Sequence, residues 1–150
     1  MELLSFSLAE STYALPLSPV REIVVLPPIT RVPNVPAAMR GVISLRGAVV
    51  PVVDLREQLG LAATAYTKHT VAIVAEVLGS VVGLIVDGVL DVVRLAEGDL
   101  APPPANLAPR LRLDFITGLA RGQDATLLVL DVDRMLTDDV VGILRKGVAT

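Results

Sequence analysis

Laid over itself with a shift of 69 residues, the chain repeats. "YALPLSPVREIVV" from Tyr13 falls on "VGLIVDGVLDVVR" from Val82 without a gap, so that Leu15 meets Leu84, Val20 meets Val89, Glu22 meets Asp91 and Ile23 meets Val92. Upstream, the segment around Leu4 to Leu8 meets that around Ile73 to Val77. A second echo relates "ISLRGAVVPVVDL" to "ITGLARGQDATLLVLDV", with Ile43 on Ile116 and Gly47 on Gly122, the shift drifting from 73 to 75. Such a duplication constrains the fold, because a unit of about 60 residues is too small to bury much apolar surface alone. Two units must therefore pack together and share a core, and a groove between them is the expectation.

Within each unit, valine and isoleucine recur in short runs bounded by glycine and proline, the pattern of strands. Strands are expected at Leu3 to Leu8, Tyr13 to Leu17, Val20 to Leu26, Val49 to Val53, Thr70 to Val77, Val81 to Val86, Val89 to Leu95, Ile116 to Leu119 and Thr126 to Leu130. Many short strands with turn signals between them suit small barrels. Helix is confined to two places. Asp54 with Glu57 three residues on is a capping-box pattern, opening a turn that stops near Gly60. Near the C-terminus, Thr137 can cap a helix over residues 137–147, with Asp138 and Asp139 at its positive end and Val140, Ile143 and Leu144 as its apolar stripe.

Composition removes several classes of function. At 150 residues the chain is one domain, and its net charge is −3 with no cluster of lysine and arginine, which argues against nucleic acid and anionic membrane as partners. Four aromatic residues, Phe6, Tyr13, Tyr66 and Phe115, are too dispersed to stack bases. Mean hydropathy is high at +0.66. Yet the longest uncharged run near the middle, Val77 to Val86, is ten residues, about half of what a bilayer span needs. No basic leader follows Met1 and there is no cysteine, so the reading is of a cytoplasmic protein without membrane insertion.

The inventory for chemistry is equally thin. His69 is the lone histidine. Asp87 with Asp91, and Asp131 with Asp133, can share faces, but neither pair has a base, a metal-ligating histidine or a phosphate loop beside it. No enzyme activity, no cofactor and no metal is expected, and the partner should be a protein or a small molecule. One residue stands out against this background. In "GVISLRGAVVPVVDL", Arg46 is a single cation in an apolar stretch. A guanidinium is charged at any working pH, so Arg46 either pairs with an acid or faces another molecule.

The segment "YALPLSPVREIVVLPPITRVPNVPAAMRGVISLRGAVVPVVDLREQLGL", continued by "HTVAIVAEV", "VVGLIVDGVLDVVRL" and "DFITGLARG", resembles the CheW family of chemotaxis coupling proteins from about Leu3 to Leu136. The family usually has asparagine where Ser44 stands. The resemblance implies an all-β fold of two SH3-like five-stranded barrels related by internal duplication, with repeat halves near 1–65 and 66–136 and strand exchange between barrels possible. It also implies a non-enzymatic adaptor, working at the inner face of the membrane. Its partners would be the regulatory domain of a CheA-type histidine kinase and the cytoplasmic tip of a methyl-accepting chemoreceptor. A module for gliding or twitching, and a homo-oligomeric β-barrel scaffold without a kinase, remain open alternatives.

Carried over residue by residue, the resemblance implies that Val20, Gly41 and Val92 affect receptor binding and that Glu22 and Arg46 serve coupling; Gly47 and Val89, beside or equivalent to these, complete the candidate partner surface. Each has a plainer reading, as core valine, as backbone glycine or as simple ion pair. Arg46 is expected to pair with Glu22 across neighbouring strands at the edge of the first barrel. The proline-rich stretch Ala101 to Pro109 would hold an extended path where the family makes a ring-closing contact, but residues 101–106 offer it neither a basic nor an aromatic anchor.

Overall fold

The computed structural model describes residues 1–62, 64–96, 98–102, 115–121 and 126–135. Eleven strands and two one-turn helices make up these residues: β1 (Glu2–Leu8), β2 (Ser11–Pro16), β3 (Val20–Val25), β4 (Met39–Leu45), β5 (Ala48–Asp54), α1 (Leu55–Gln58), β6 (Val71–Val77), β7 (Ser80–Val86), β8 (Gly88–Arg94), β9 (Leu100–Ala101), β10 (Ile116–Arg121), β11 (Thr126–Leu130) and α2 (Val132–Met135). All nine expected strands are present within a residue or two of their expected bounds. The C-terminal helix expected over 137–147 lies outside the described residues, as does Gly122.

The strands form two sheets, ordered β3-β6-β7-β5-β4 and β8-β1-β2-β11-β10-β9. Neither sheet belongs to one half of the chain. The β6–β7 hairpin of the second half fills the middle of the sheet built on β3, β4 and β5, and the β1–β2 hairpin of the first half fills the middle of the other. Under the repeat the two orders are the same, apart from the extra two-residue β9. Register agrees in detail: Leu4 opposes Leu15 as Ile73 opposes Leu84. Glu22 opposes Val74 as Asp91 opposes Ser5, each beside an irregularity at the same place in its ladder. Glu22 and Asp91 are therefore equivalent positions, as the shift of 69 requires.

The second echo is corrected. Met39 opposes Val53 and Gly41 opposes Val52, while Ile116 opposes Leu130 and Gly118 opposes Val129. The structural partner of Ile116 is thus Met39 rather than Ile43, and that of Gly118 is Gly41. What β4 and β10 share is a glycine wedged under a neighbouring stretch of backbone: a Cβ on Gly41 would stand 2.1 Å from the Thr30 carbonyl oxygen, and one on Gly118 2.5 Å from that of Ala101. Strand β4 itself was not expected, because its inward positions are Met39, Gly41 and Ile43, and a glycine in the middle place hides the alternation.

The largest apolar cluster is the seam between the sheets, where Phe6, Leu8 and Leu15 meet Ile73, Val77, Leu84 and Leu55. Smaller clusters fill each barrel, Leu3, Ala14, Ala120 and Val129 in one and Ile43, Val50, Val52 and Ile85 in the other. Because β1 and β6 serve both a barrel and the seam, they are buried on both faces and read as continuous apolar runs. The seam is filled rather than grooved, leaving a cleft of about 200 Å³ at one end, between Pro16 and Leu130 on one side and Glu76 on the other.

Three hairpins close with two-residue turns whose central residues both have positive φ: Ala9–Glu10, Arg46–Gly47 and Leu78–Gly79. This is the geometry of primed turns, which match the twist of the flanking strands. Helix α1 begins at Asp54, whose carboxylate accepts from the Arg56 N–H. Only half of the expected capping box forms, since the Asp54 N–H donates to the Ala38 carbonyl and Glu57 instead lies 3.8 Å from Arg40.

Candidate functional site

Arg46 occupies the first central position of the β4–β5 turn, with φ of 52°. An arginine pays for a left-handed backbone that glycine adopts freely. From there its guanidinium donates to Glu22 Oε2 at 2.5 Å. The pairing is the expected one, but the strands are not neighbours: β3 and β4 are the two outermost strands of their sheet. The ion pair ties together the edges of a sheet that curls until they approach each other. Arg46 is 77% exposed and Glu22 23% exposed. Glu22 Oε1 is buried and has no hydrogen-bond partner among the described residues.

The other expected partner residues are divided by burial. Val20 and Val89, equivalent under the repeat, are half-buried against the seam core. Val92 is exposed on edge strand β8, beside exposed Leu90, and Ile23 and Val25 are exposed on edge strand β3. Gly47 is exposed at the turn tip, whereas Gly41 is buried with φ of 144° beneath Thr30. The structure thus gathers Glu22, Arg46 and Gly47 at one rim and leaves Gly41 as a residue of backbone shape. Apolar side chains project from the outer strand of each sheet. Asp91, the counterpart of Glu22, makes no ion pair among the described residues; its carboxylate accepts from the Val92 N–H.

Two polar constellations were not anticipated. Arg56 on α1 donates through Nε to Asp87 Oδ1 at 2.8 Å and through its terminal nitrogen to Oδ2, which also accepts from the Ala9 N–H at 2.9 Å. This bidentate clasp joins α1, the β7–β8 connection and the β1–β2 turn, so it bridges the two sheets. Burial pushes the Asp87 carboxyl up, but the Arg56 hydrogen bonds, the Ala9 N–H and the Arg56 charge outweigh it and hold the group below the usual carboxylate range. Gln58 on α1 adds a bond to the Met135 carbonyl on α2.

In the second constellation, the Tyr66 hydroxyl donates to Asp54 Oδ2 at 2.6 Å and accepts from Arg40 Nε at 3.1 Å. Burial first, then the bond to Asp54, pushes the Tyr66 phenol up to about 12. Tyr66 thereby pins the segment between the repeats to the base of β5. The sequence carried little signal for either group: Arg56 stands between Asp54 and Glu57, and Tyr66 between Thr64 and Thr67, so neither stands out against apolar neighbours as Arg46 does. His69 stays exposed, and Asp131 caps α2 through the Arg134 N–H. No group of three or more metal-ligating side chains occurs among the described residues, and no described helix is long and apolar enough to cross a membrane.

Comparison with known proteins gives a uniform result. The model of the CheW-like domain matches residues 2–140. The chemotaxis protein CheW of Klebsiella aerogenes is 33% identical over 143 residues, covering 95% of this chain and 86% of that protein. The CheW of Rhizobium meliloti is 34% identical over 138 residues, covering 92% and 88%. Among solved structures, the scaffolding protein TtCheW of Thermoanaerobacter tengcongensis superposes with a TM-score of 0.82 at 33% identity, covering 89% of this chain and 90% of that one.

Proposed function

The chain belongs to the CheW family of chemotaxis scaffolding proteins, and from that membership we propose that it is a non-enzymatic adaptor coupling chemoreceptors to a CheA-type histidine kinase. It would act in the cytoplasm, at the inner face of the membrane to which its receptors belong. The observation that carries the reading is the Glu22–Arg46 pair. A strained, exposed arginine at a turn tip is poorly explained by stability, since a solvent-exposed ion pair contributes about 0 to 1 kcal/mol and the left-handed backbone costs a comparable amount. It is well explained by recognition, because arginine is among the residues that dominate interface energies.

The apolar side chains of the two edge strands supply the rest of the surface: Val92 with Leu90 on β8, and Val20 half-buried at the start of β3, with Val89 as its counterpart. Gly47 leaves the Arg46 tip free of a bulky neighbour, and Gly41 would act by fixing the backbone of β4. The decisive experiment is a binding measurement with two immobilised partners, the kinase regulatory domain and a receptor-tip fragment. Capture of both supports the adaptor. Capture of neither, with self-association instead, overturns it in favour of a homo-oligomeric scaffold.

A further inference from the structure

A cleft of about 570 Å³ opens away from the Glu22–Arg46 rim, between the Leu26–Ile29 segment that leaves β3 and the Thr64–Thr67 segment that precedes β6, with Arg31 and Arg40 beside them. Its volume lies in the range of preformed ligand sites, about 300 to 1,000 Å³. One wall is apolar and stiff, since Pro27 and Pro28 fix their backbone angles. The other is held by Tyr66 through its bonds to Asp54 and Arg40.

Its charge is unbalanced in a particular way. Arg40 is already opposed by Asp54 at 3.7 Å and Glu57 at 3.8 Å, besides its bond to Tyr66. Arg31, by contrast, is exposed and makes neither an ion pair nor a hydrogen bond among the described residues. Lys68 and His69, which follow Thr67 directly, are exposed too, and no acid among the described residues pairs with them. Among the described residues, no free carboxylate lines the cleft. An unopposed guanidinium next to a rigid apolar wall matches a ligand that carries both a carboxylate and an apolar side chain.

We propose that this cleft is a second docking site, which accepts a short acidic peptide segment of a protein partner, its aspartate or glutamate on Arg31 and the adjoining apolar side chain against Pro27, Pro28 and Ile29. The site is separate from the rim formed by Glu22 and Arg46, and it stands or falls independently of the kinase and receptor assignment.

The test is an amide-shift titration of the intact protein with acetyl-Leu-Glu-Leu-amide, with acetyl-Leu-Gln-Leu-amide and with sodium acetate. The glutamate peptide is expected to give saturable shifts confined to Leu26, Ile29, Arg31 and the Thr64–Thr67 segment. The glutamine peptide should bind at least tenfold more weakly, and Arg31→Ala should weaken the glutamate peptide by the same factor while its melting temperature stays that of the parent. Equal response to the glutamine peptide, shifts centred elsewhere, or full binding by Arg31→Ala would overturn the proposal. Acetate alone reproducing the whole response would overturn the peptide assignment, by reducing the cleft to a bare carboxylate site.

Discussion

Arg46 was legible as a residue that either pairs with an acid or faces another molecule, because a guanidinium stays charged at any working pH, and Glu22 was the acid to which the repeat drew attention. What the sequence could not reveal is that the two come from opposite edges of one sheet, since that follows from which hairpin inserts between them. The distinction bears on the outcome of mutation. Arg46→Ala removes an exposed ion pair and is expected to shift the denaturant midpoint by the equivalent of about 1 kcal/mol or less. Its affinity for the kinase domain or the receptor tip is expected to fall more than tenfold, which corresponds to about 1.4 kcal/mol. Glu22→Ala should behave in the same way. Unfolding of either variant, or undiminished binding of both partners, would make the pair a structural clip and remove the main support for the partner surface. Arg56 and Tyr66 carried no such signal, since they sit among charged or polar sequence neighbours, and their partners Asp87 and Asp54 are fixed only by the tertiary fold.

At the level of elements, strands rich in valine and isoleucine were found as short runs bounded by glycine and proline, while β4 escaped because Gly41 interrupts its apolar positions. The same glycine explains the slipped second echo, which paired Ile43 with Ile116 on side-chain similarity when the shared constraint is the tight crossing at Gly41 and Gly118. Gly41→Ala is expected to cost about 3 kcal/mol or more, because the new methyl group meets the Thr30 carbonyl and the backbone at φ of 144° suits only glycine. Gly118→Ala, which clashes less closely and at no positive φ, should cost about 1 to 3 kcal/mol in the same denaturation experiment; the reverse order would refute the equivalence. The clasp at Asp87 makes a different prediction. It steadies Ala9–Glu10, a primed turn without glycine or asparagine that no sequence rule would place. Since folding holds the Asp87 carboxyl below its unfolded value, the stability it contributes is complete above that value, about 3.9, and disappears as the pH falls through it toward the folded one. Asp87→Asn should therefore lose about 1 to 2 kcal/mol at pH 7, given a partly exposed pair. The gap from the parent should narrow below about pH 4. A gap that stayed constant from pH 7 to pH 3 would show that the carboxylate charge is not what holds the clasp.

For the whole molecule, the duplication was plain in the sequence, whereas the exchange of hairpins stood only as a possibility implied by the resemblance, because both arrangements bury the same residues in the same strand types. Only the geometry of the connections decides that β6–β7 lies between β3 and β5 rather than beside its own sequence neighbour β8. This has a direct consequence for the two halves. Residues 1–62 supply β3, β4 and β5, but without β6–β7 the β4–β5 hairpin is cut off from β3, and the β1–β2 hairpin has no sheet to enter. Residues 66–150 lack β1–β2 in the same way. Expressed separately, each half is expected to be unfolded as a monomer, with a collapsed amide spectrum and no cooperative melting, since a lone hairpin is marginal in water. Mixed in equal amounts, the halves should restore the dispersed spectrum of the parent, because the seam and both barrels are built from complementary pieces. The reconstituted protein should melt lower and in a concentration-dependent way, since joining two chains forfeits about 4 kcal/mol or more of translational and rotational freedom that the linker otherwise saves. Cutting the intact protein between Gly60 and Tyr66 should likewise leave it folded until it is diluted. A half that folds alone as a monomer would overturn the exchanged arrangement, for it would mean that β3, β4 and β5 can close a barrel without the hairpin that the fold puts between them.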